Sequence, residues 1–571
     1  MSAKTGMVGL IFLTIPFPAW GQSNAGDRNE NVLPSLDSDP PVPIPESPPD
    51  SVLPSNDDLL ETNCPDPSDN ESVQEPIFSS SLKPTFPIET IHTTGNTIFD
   101  SEIEEILQPY ENNEITWETL NCLADRITEH YVEKGYRTTG AFIPAQEVSN
   151  GSVKIEVVEG ELKDEDISIE GLTHLQEAYV RSRLQRSSQK PLRVSTLDDT
   201  LQLLAQKPFI ENIEPVLNPL GDGRSSLSVK ITEAPRFRPS VSFDNYHSPS
   251  TGAVEANFIG QYDNLWGWGD RLSAGYGRSQ GSNTYRLGYS IPINPLDSTL
   301  SLRYARGDSR ILEEGLRDFG IRGQEELFSF GFRQPLYQTA NREFALGVTF
   351  DLRRSQTFLF DDIPFSFARG AERGESKVSV LRFSQEWIDR QVDRGFVFRS
   401  QFSFGLDAFG ATVNDSGTDG RFFSWQGDFI WRQRFSSRVS TIARLSAQLT
   451  PDSLLSLERF SLGGTNNLKG YRPGFSSGDN GIWGSLEARI SLTPDPEDLQ
   501  IIPSIAIGTV WNNDTPNPDP STFASLGLGL RWQIVDNLFV HLDYGIPLVT
   551  LDNRGSSLQD RGLFFALRYE F

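Results

Sequence analysis

The sequence is poor in the residues that most directly announce chemistry. Its 571 residues include two cysteines and five histidines, too few for a disulfide-rich scaffold or a multi-cysteine zinc cluster. His92, His130, His174, His247 and His541 show no His-x-x-x-His spacing, and Cys64 and Cys122 are far from a Cys-x-x-Cys pair, so no metal site is expected. Basic excess is lacking too. Fifty Lys and Arg stand against 77 Asp and Glu, a formal net charge of −27, and this argues against nucleic acid as a partner because phosphate binding needs a net basic surface. Beyond the N-terminus no apolar run approaches the roughly 20 residues of a membrane helix. What is abundant is aromatic residues and glycine, with 37 Phe, 14 Tyr, 10 Trp and 47 Gly. A chain of this texture can cross a membrane only as a closed β-barrel, which satisfies its backbone without long apolar helices.

Catalytic signatures are equally thin. A Walker A loop is absent. Gly277-Arg278-Ser279-Gln280-Gly281 and Gly474-Phe475-Ser476-Ser477-Gly478 match Gly-x-Ser-x-Gly, but a nucleophile elbow needs a helix after its turn, and neither stretch is followed by a helical pattern. No enzymatic activity and no cofactor are expected.

At the start, Lys4, an apolar run over 7–17 and Ala19-Trp20-Gly21 form the order of a secretory signal over 1–21. The run is too short to span and holds Pro16 and Pro18, so export is expected rather than anchorage. Residues 22–82 are rich in Pro, Ser, Asp and Asn and read as a disordered linker, unable to bury enough apolar surface to offset ordering entropy.

Two copies of one small module follow, over 83–160 and 161–235. In the first, a strand over 87–93 leads into Gly95-Asn96. Asp100 is expected to cap a short helix with Ile103, Ile106 and Leu107, and a longer helix over 117–134 carries Leu120, Leu123, Ala124, Ile127 and Tyr131 on one face until Gly135 stops it. Strands over 138–144 and 152–158 complete a β-α-α-β-β order. The second copy runs through Gly171, a helix with Ala178, Val180 and Leu184, and Ser195-x-x-Asp198, which resembles a capping box. It closes on Leu227, Val229 and Ile231. Gly95 and Gly171 lie 76 residues apart, the period of one small domain, so this is a tandem pair rather than a solenoid.

From 236 to 571 the texture becomes alternating segments of about ten residues separated by Gly, Asn, Asp and Ser, the pattern of a transmembrane barrel. Leu300, Leu302 and Tyr304, or Phe328, Phe330 and Phe332, are examples. Sixteen segments fit. The final one places Phe565, Leu567, Tyr569 and Phe571 on one face and Arg568 and Glu570 on the other, as a strand between lipid and a polar lumen requires.

Signal, Pro-rich linker, two β-α-α-β-β modules and a sixteen-stranded antiparallel barrel together resemble the two-partner secretion transporters (the TpsB, or haemolysin-activator, family), within the wider superfamily of POTRA-plus-barrel translocators. The resemblance extends from about 86 to 571. It rests on Gly95-Asn96-Thr97, Leu123-Ala124-Asp125-Arg126-Ile127-Thr128, Lys134-Gly135-Tyr136, Val157-Val158-Glu159-Gly160 and Thr232-Glu233-Ala234-Pro235-Arg236 in the modules. In the barrel it rests on Asn264-Leu265-Trp266-Gly267-Trp268-Gly269-Asp270 and Leu542-Asp543-Tyr544-Gly545-Ile546-Pro547-Leu548. It implies an outer-membrane protein with periplasmic POTRA modules that receive a large, unfolded, adhesin- or haemolysin-like partner and pass it through the barrel without ATP. Outer-membrane lipid and the barrel assembly machinery are the other implied partners. A factor that inserts other barrels and a porin-like solute channel are the rival readings.

Leu462 to Tyr471 resembles the family's sixth loop, whose Val-Arg-Gly-Tyr motif folds back into the lumen. Here the tip reads Leu468-Lys469-Gly470-Tyr471, with lysine where the family has arginine, and the Asp-x-Gly partner expected on strand thirteen reads Ala506-Ile507-Gly508. Lysine cannot form arginine's bidentate fork. By alternation Glu487 and Arg489 on strand twelve face inward, and Glu487 is the expected acceptor for Lys469. Client contact is expected at the strands Gly140-Ala141-Phe142-Ile143 and Leu227, Val229, Ile231, since a free sheet edge can take up an extended chain. Cys122 lies off the core face of its helix, and in an oxidising compartment Cys64 is its expected disulfide partner.

The terminal alternation carries a test. Deleting Phe571 removes the last lipid-facing aromatic, and heat-modifiable mobility together with the membrane yield of the barrel should fall. Unchanged values for both would remove the assignment of this strand as an assembly signal.

Overall fold

A computed structural model of the chain describes residues 85–148, 151–496, 498–550 and 555–571. The expected signal, the Pro-rich stretch and Cys64 lie outside the described residues. The chain divides into two units, the paired α/β modules and, from Pro235 onward, a barrel.

In the first module, strands β1 (Thr85–Ile88) and β2 (Thr90–Thr94) precede α1 (Asp100–Leu107), β3 (Asn113–Thr116) and α2 (Trp117–Glu133), and β4 (Gly140–Phe142) and β5 (Ser152–Val158) follow. The sheet order is β2-β5-β4, with β1 and β3 forming a separate pair. Helix α2 begins where Thr116 accepts a hydrogen bond from the Thr119 amide and buries Leu120, Leu123, Ile127 and Tyr131 against Val153, Ile155 and Val157. Asp100 does not cap α1. The cap position is Phe99, in the left-handed region, and Asp100 is the first helical residue, its carboxylate accepting from the Asn96 side-chain Nδ2. Strand β3 has no counterpart in the sequence reading, because Asn113-Glu114-Ile115-Thr116 offers a single apolar residue.

The second module has β6 (Ile167–Glu170), α3 (Glu177–Ser187), α4 (Val194–Ala205), β7 (Ile210–Gly221) and β8 (Arg224–Glu233), with sheet order β6-β8-β7. The expected capping box at Ser195 does not form: α4 starts one residue earlier, its cap position is Arg193, and no side chain bonds the first turn there. The repeated β-α-α-β-β order implies strand β7, although the sequence reading assigned it no residues, and Pro215 and Pro219 interrupt its pattern. As an edge strand it tolerates both.

The two modules close on the same device. Gly95 and Gly171, both at positive φ, lie so close to the next strand that a Cβ would overlap the carbonyl oxygens of Val157 and Ile231 respectively. Just beyond each carbonyl comes a glutamate. Glu159 accepts from the Thr97 amide and hydroxyl, both at 2.7 Å, and from the Tyr131 hydroxyl at 3.0 Å. Glu233 accepts from the amides of Thr173, His174 and Leu175 at 2.7, 2.9 and 2.9 Å. Backbone bonds also join the modules: Leu192 N–H to Gly160 O and Val194 N–H to Gly135 O.

The barrel contains sixteen antiparallel strands: β9 (Phe237–Asp244), β10 (Glu255–Asp263), β11 (Arg271–Ser279), β12 (Ser282–Pro292), β13 (Thr299–Arg310), β14 (Arg322–Gln338), β15 (Arg342–Leu359), β16 (Glu375–Arg390), β17 (Arg394–Leu406), β18 (Phe423–Arg434), β19 (Val439–Leu449), β20 (Asn480–Ser491), β21 (Leu499–Trp511), β22 (Thr522–Val535), β23 (Leu538–Pro547) and β24 (Leu563–Glu570). Each pairs with the next, and β24 closes on β9. Phe328, Phe330, Leu526, Leu528, Leu542 and Tyr544 point outward, while Ser329, Gln401, Ser525 and Asp543 are buried on the inner face. At the end, Leu567, Tyr569 and Phe571 are exposed on the outer face. Connections such as 339–341 and 391–393 are short, whereas those at the opposite end reach the thirty residues of 450–479, the asymmetry of periplasmic turns and extracellular loops.

Glu233 provides a pH test of the modules. Burial alone would raise its pKa, but the backbone donors His174, Leu175 and Thr173 outweigh burial and hold it below the ordinary carboxylate range. The stabilisation is therefore complete above the unfolded-state glutamate pKa and is lost as pH falls through the lower folded value. Glu233→Gln replaces a charged acceptor by a neutral one and should cost about 1 kcal/mol at neutral pH. Hydrogen exchange at the three amides in the full chain should then be faster at pH 7 and lose its acid dependence. Exchange identical to wild type across that range would refute the role.

Candidate functional site in the barrel lumen

The loop 450–479 between β19 and β20 folds into the barrel and does not stand above it. Phe460–Leu462 and Ser476–Gly478 form a short antiparallel pair that carries the tip inward. There Leu468 is 0%, Tyr471 2% and Lys469 6% exposed.

Three kinds of contact hold this tip. The first is backbone on backbone. Gly470 has φ +94, and a Cβ placed on it or on Gly545 of β23 would collide with the other residue's main chain, so both positions require glycine. The second is apolar. Leu468 and Tyr471 join Leu462, Ala506, Val510 and Phe523 in one cluster, and Tyr471 stacks on Phe475. The Tyr471 hydroxyl lies 3.0 Å from both the Ala524 and Val549 carbonyls and accepts from the Val549 amide at 3.1 Å.

The third contact is ionic, and here the structure corrects the sequence expectation. Lys469 Nζ donates to Asp543 Oδ1 on β23 at 2.8 Å, while Glu487 Oε1 on β20 is farther, at 3.6 Å. Glu487 binds Arg444 more closely, at 2.9 Å. The first acceptor is thus Asp543, and Glu487 is a shared second. Arg489 sits two residues along β20 from Glu487 in the same alternation, opposite Ser440 of β19. As a cation it adds charge to this wall but offers Lys469 no acceptor. His541 Nε2 faces the other Asp543 oxygen at 3.4 Å. The side chains of Asp543, Lys469 and Glu487 are 0, 8 and 12% exposed, and removing one member of such a pair leaves a buried charge uncompensated.

Asp543 had a signal in the sequence. Asp543-Tyr544-Gly545 carries the Asp-x-Gly spacing that was sought at Ala506-Ile507-Gly508 on β21. Ala506 lacks a carboxylate for a visible reason: it is buried in the cluster with Leu468, and a Cβ on Gly508 would meet Leu468 Cδ1 at 3.2 Å. Strand thirteen receives the tip by packing, and strand fifteen receives its charge.

The expected client strands fare differently. Leu227, Val229 and Ile231 belong to β8, the central strand of its sheet, with exposures of 1, 0 and 1%. They have no free edge, and their role as a docking strand is withdrawn. The edge β7 is a poor substitute, since Pro215 and Pro219 remove two outward amide donors. Gly140, Ala141 and Phe142 do form an edge, β4, with Phe142 exposed. The Ala141 amide, however, already donates to the Thr128 hydroxyl at 2.8 Å, and Ala141 and Ile143 lean on the module core. Cys122 is disulfide-bonded.

Comparison with known proteins agrees with this geometry. The family model of haemolysin secretion/activation proteins ShlB/FhaC/HecB matches residues 223–532, and that of the ShlB-type POTRA domain matches 86–160. The outer membrane transporter CdiB of Escherichia coli is 25% identical over 490 residues, 82% of this chain and 80% of that protein. The heme/hemopexin transporter protein HuxB of Haemophilus influenzae (strain 86-028NP) is 26% identical over 234 residues, 39% of this chain and 41% of its own. Among solved structures, CdiB from Escherichia coli gives a TM-score of 0.70 at 22% identity, covering 87% of this chain and 93% of that one. CdiB from Acinetobacter baumannii gives 0.65 at 16%, covering 92% and 94%. Those two likenesses show a common fold. With the family model spanning more than half of its length, the chain belongs to the ShlB/FhaC/HecB family of haemolysin secretion/activation proteins, the outer-membrane transporters that join POTRA modules to a β-barrel.

Proposed function

We propose that this transporter takes an extended secreted partner from the periplasm at its POTRA modules and passes it to the cell surface through the lumen that loop 450–479 occupies at rest. The partner is a large adhesin- or haemolysin-like protein. The observation that carries the reading is the seated loop: a glycine interlock, an apolar cluster and a buried lysine hold it inside the closed barrel. A simple solute pore has no use for two modules joined by backbone hydrogen bonds, and the family match does not favour a barrel assembly factor. No bond-breaking chemistry is needed, because folding of the partner outside opposes its return. In the modules, Phe142 on the β4 edge is an exposed apolar contact offered to the partner, and its own side chain rather than a free amide would make that contact. The Cys64–Cys122 bond ties the segment before the first module to α2. Assembly machinery and outer-membrane lipid act on the outward face that ends at Phe565, Leu567, Tyr569 and Phe571.

Partner export measured in the native outer membrane tests the role of the tip. Lys469→Ala removes the buried cation and should loosen the seated loop by about 3 kcal/mol, lowering export while heat-modifiable barrel insertion stays intact. Asp543→Asn should reproduce most of that loss, Glu487→Gln less of it, and Lys469→Ala/Asp543→Asn no more than either single change, because all remove one interaction. Wild-type export by Lys469→Ala, or additive losses in the double variant, would overturn the assignment.

A further inference from the structure

On the outer face of β13 to β16 a row of charge borders the apolar band. Along β15 the outward residues Phe344, Leu346, Val348, Phe350 and Leu352 alternate with the buried Ala345, Asp351 and Arg353, and Arg354 is the next to face outward. Those five apolar positions rise about 20 Å on a strand tilted by about 40°, close to the roughly 25 Å apolar band of an outer-membrane barrel. Register sets Arg354 opposite Glu326 of β14 and Lys377 of β16, and Glu326 opposite Arg306 of β13. Arg306, Glu326, Arg354 and Lys377 therefore form one level row, on the side of the long connections. Phe409 shows where hydrocarbon lies. It belongs to the connection 407–422, is 76% exposed, and its ring centre lies 5.5 Å from that of Phe350. A phenyl left so open is costly in water and stable among acyl chains. The hydrocarbon then reaches Phe350, and the row two outward positions beyond it meets the headgroups.

Three cations and one acid give this row a local charge of +2 on a chain whose net charge is −27. The next row outward is Asp308, Gln324, Gln356 and Glu375, and its acids orient the arginines. Arg306 Nε donates to Asp308 Oδ2 at 3.4 Å and Arg354 Nε to Glu375 Oε1 at 2.7 Å, while Lys377 Nζ lies 2.9 Å from Glu375 Oε2. Both arginines are thus held through Nε. Among the described residues the terminal nitrogens of Arg354 have no partner, and Arg306 Nη1 comes no nearer to an acid than 3.8 Å, at Glu326. The four side chains of the row are between 36 and 49% exposed. Pairs this open contribute about 1 kcal/mol or less, too little to exclude a phosphate, whose oxygens match the guanidinium fork. The row is also bounded. On one side it meets Tyr285 of β12 and Tyr276 of β11, with ring centres 5.2 Å apart, as in an interfacial aromatic girdle. On the other, the outward residues that end β17, begin β18 and end β19 at this border are Leu406, Phe423 and Leu449, all apolar and exposed.

We propose that Arg306, Arg354 and Lys377 form a docking row for the phosphate groups of outer-leaflet lipid headgroups, confined to β13–β16. Charge complementarity selects the occupant: the cations stand at headgroup level, directly above lipid-facing Tyr304, Phe328 and Leu352, so a ligand that places acyl chains on the apolar band brings its phosphates to the row. The acids one row farther out keep the arginine forks turned to that level. The inference rests on the barrel's place in the outer membrane and not on the secretion reading, and either can fail without the other.

The full-length protein in phosphatidylcholine nanodiscs containing diphosphoryl lipid A, released into mild detergent and weighed by native mass spectrometry, gives the test. The wild-type barrel should retain lipid A, and a heat-modifiable Arg306→Gln/Arg354→Gln/Lys377→Gln barrel should retain several-fold less. Arg306→Lys/Arg354→Lys keeps the charge and should hold most of it. Arg394→Gln, at the opposite border of the outer face, should change nothing. Lipid A stripped of its phosphates should bind the wild type no better than diphosphoryl lipid A binds the triple variant. If the triple variant does not fold, Arg354→Gln/Lys377→Gln is read in its place, with a several-fold loss again expected. Wild-type retention by the folded glutamine variant, an equal loss in Arg394→Gln, or full retention of the phosphate-free lipid would overturn the proposal. Displacement of the lipid by millimolar inorganic phosphate would identify a site for free anions and overturn it as well.

Discussion

A single buried cation organises the interior of this barrel. Lys469 is brought inside on a loop that has left solvent, and the cost of an uncompensated charge there is several kcal/mol. That cost is met only where Asp543 and Glu487 converge, 2.8 and 3.6 Å away. Much of the neighbourhood follows from putting the ammonium at that point. The backbone must approach β23 closely, so Gly470 and Gly545 lack side chains. Leu468 and Tyr471, flanking the lysine, must bury, so β21 and β22 present Ala506, Val510 and Phe523 instead of polar residues.

The barrel makes this arrangement possible by alternation. Each strand turns one residue to lipid and the next to the lumen, so a polar interior can be built without weakening the apolar exterior. The same strand that shows Leu542 and Tyr544 outward keeps Asp543 within. Inward charges are compensated locally: Asp263 sits between Arg238 and Arg271, and Arg333 between Glu343 and Glu386. These inward charges thus each face opposite charge from nearby strands, in clusters of three rather than in neutral pairs. Loop 450–479 takes part in this pairing at two places, through Lys469 on Asp543 and through Glu458 on Arg382.

The legibility of the sequence divides along the reach of its signals. Periodicity two located the strands of the barrel, and the helix α2, with five core residues on one face, was placed to within a residue. One strand was missed and another was implied but left without residues where local pattern and fold disagree. Strand β3 has one apolar side chain, and β7 carries prolines that only its edge position tolerates. The caps failed too: Asp100 and Ser195 are good cap residues, but α1 starts at Asp100 and α4 at Val194, so both fall inside the first turn. Position within a sheet was invisible as well, since Leu227, Val229 and Ile231 alternate as an edge strand would and yet lie in the centre. The loop's wall contacts span 74 residues from Lys469 to Asp543 and 76 from Arg382 to Glu458, and no local pattern reports such distances.

The choice of lysine at the tip becomes intelligible once its partner is known. A guanidinium is matched to a carboxylate that offers both oxygens in a plane. Asp543 gives Lys469 one oxygen, Oδ1, while Oδ2 lies 3.4 Å from His541 Nε2, and Glu487 is already shared with Arg444 at 2.9 Å. A compact ammonium on a flexible stem can sit between two such single oxygens, 2.8 and 3.6 Å away, without demanding a fork. Alanine at 506 and lysine at 469 thus fit one and the same arrangement. With the acceptor on strand fifteen, strand thirteen is released to bury Leu468, and a point charge replaces a planar one. Restoring arginine alone would place a larger planar group against Gly527, whose absent side chain leaves room for the lysine stem: a Cβ there would come within 3.2 Å of Lys469 Cδ. The tip is thus tuned as a set, and changes to it should be judged together with Asp543 and Ala506 rather than residue by residue.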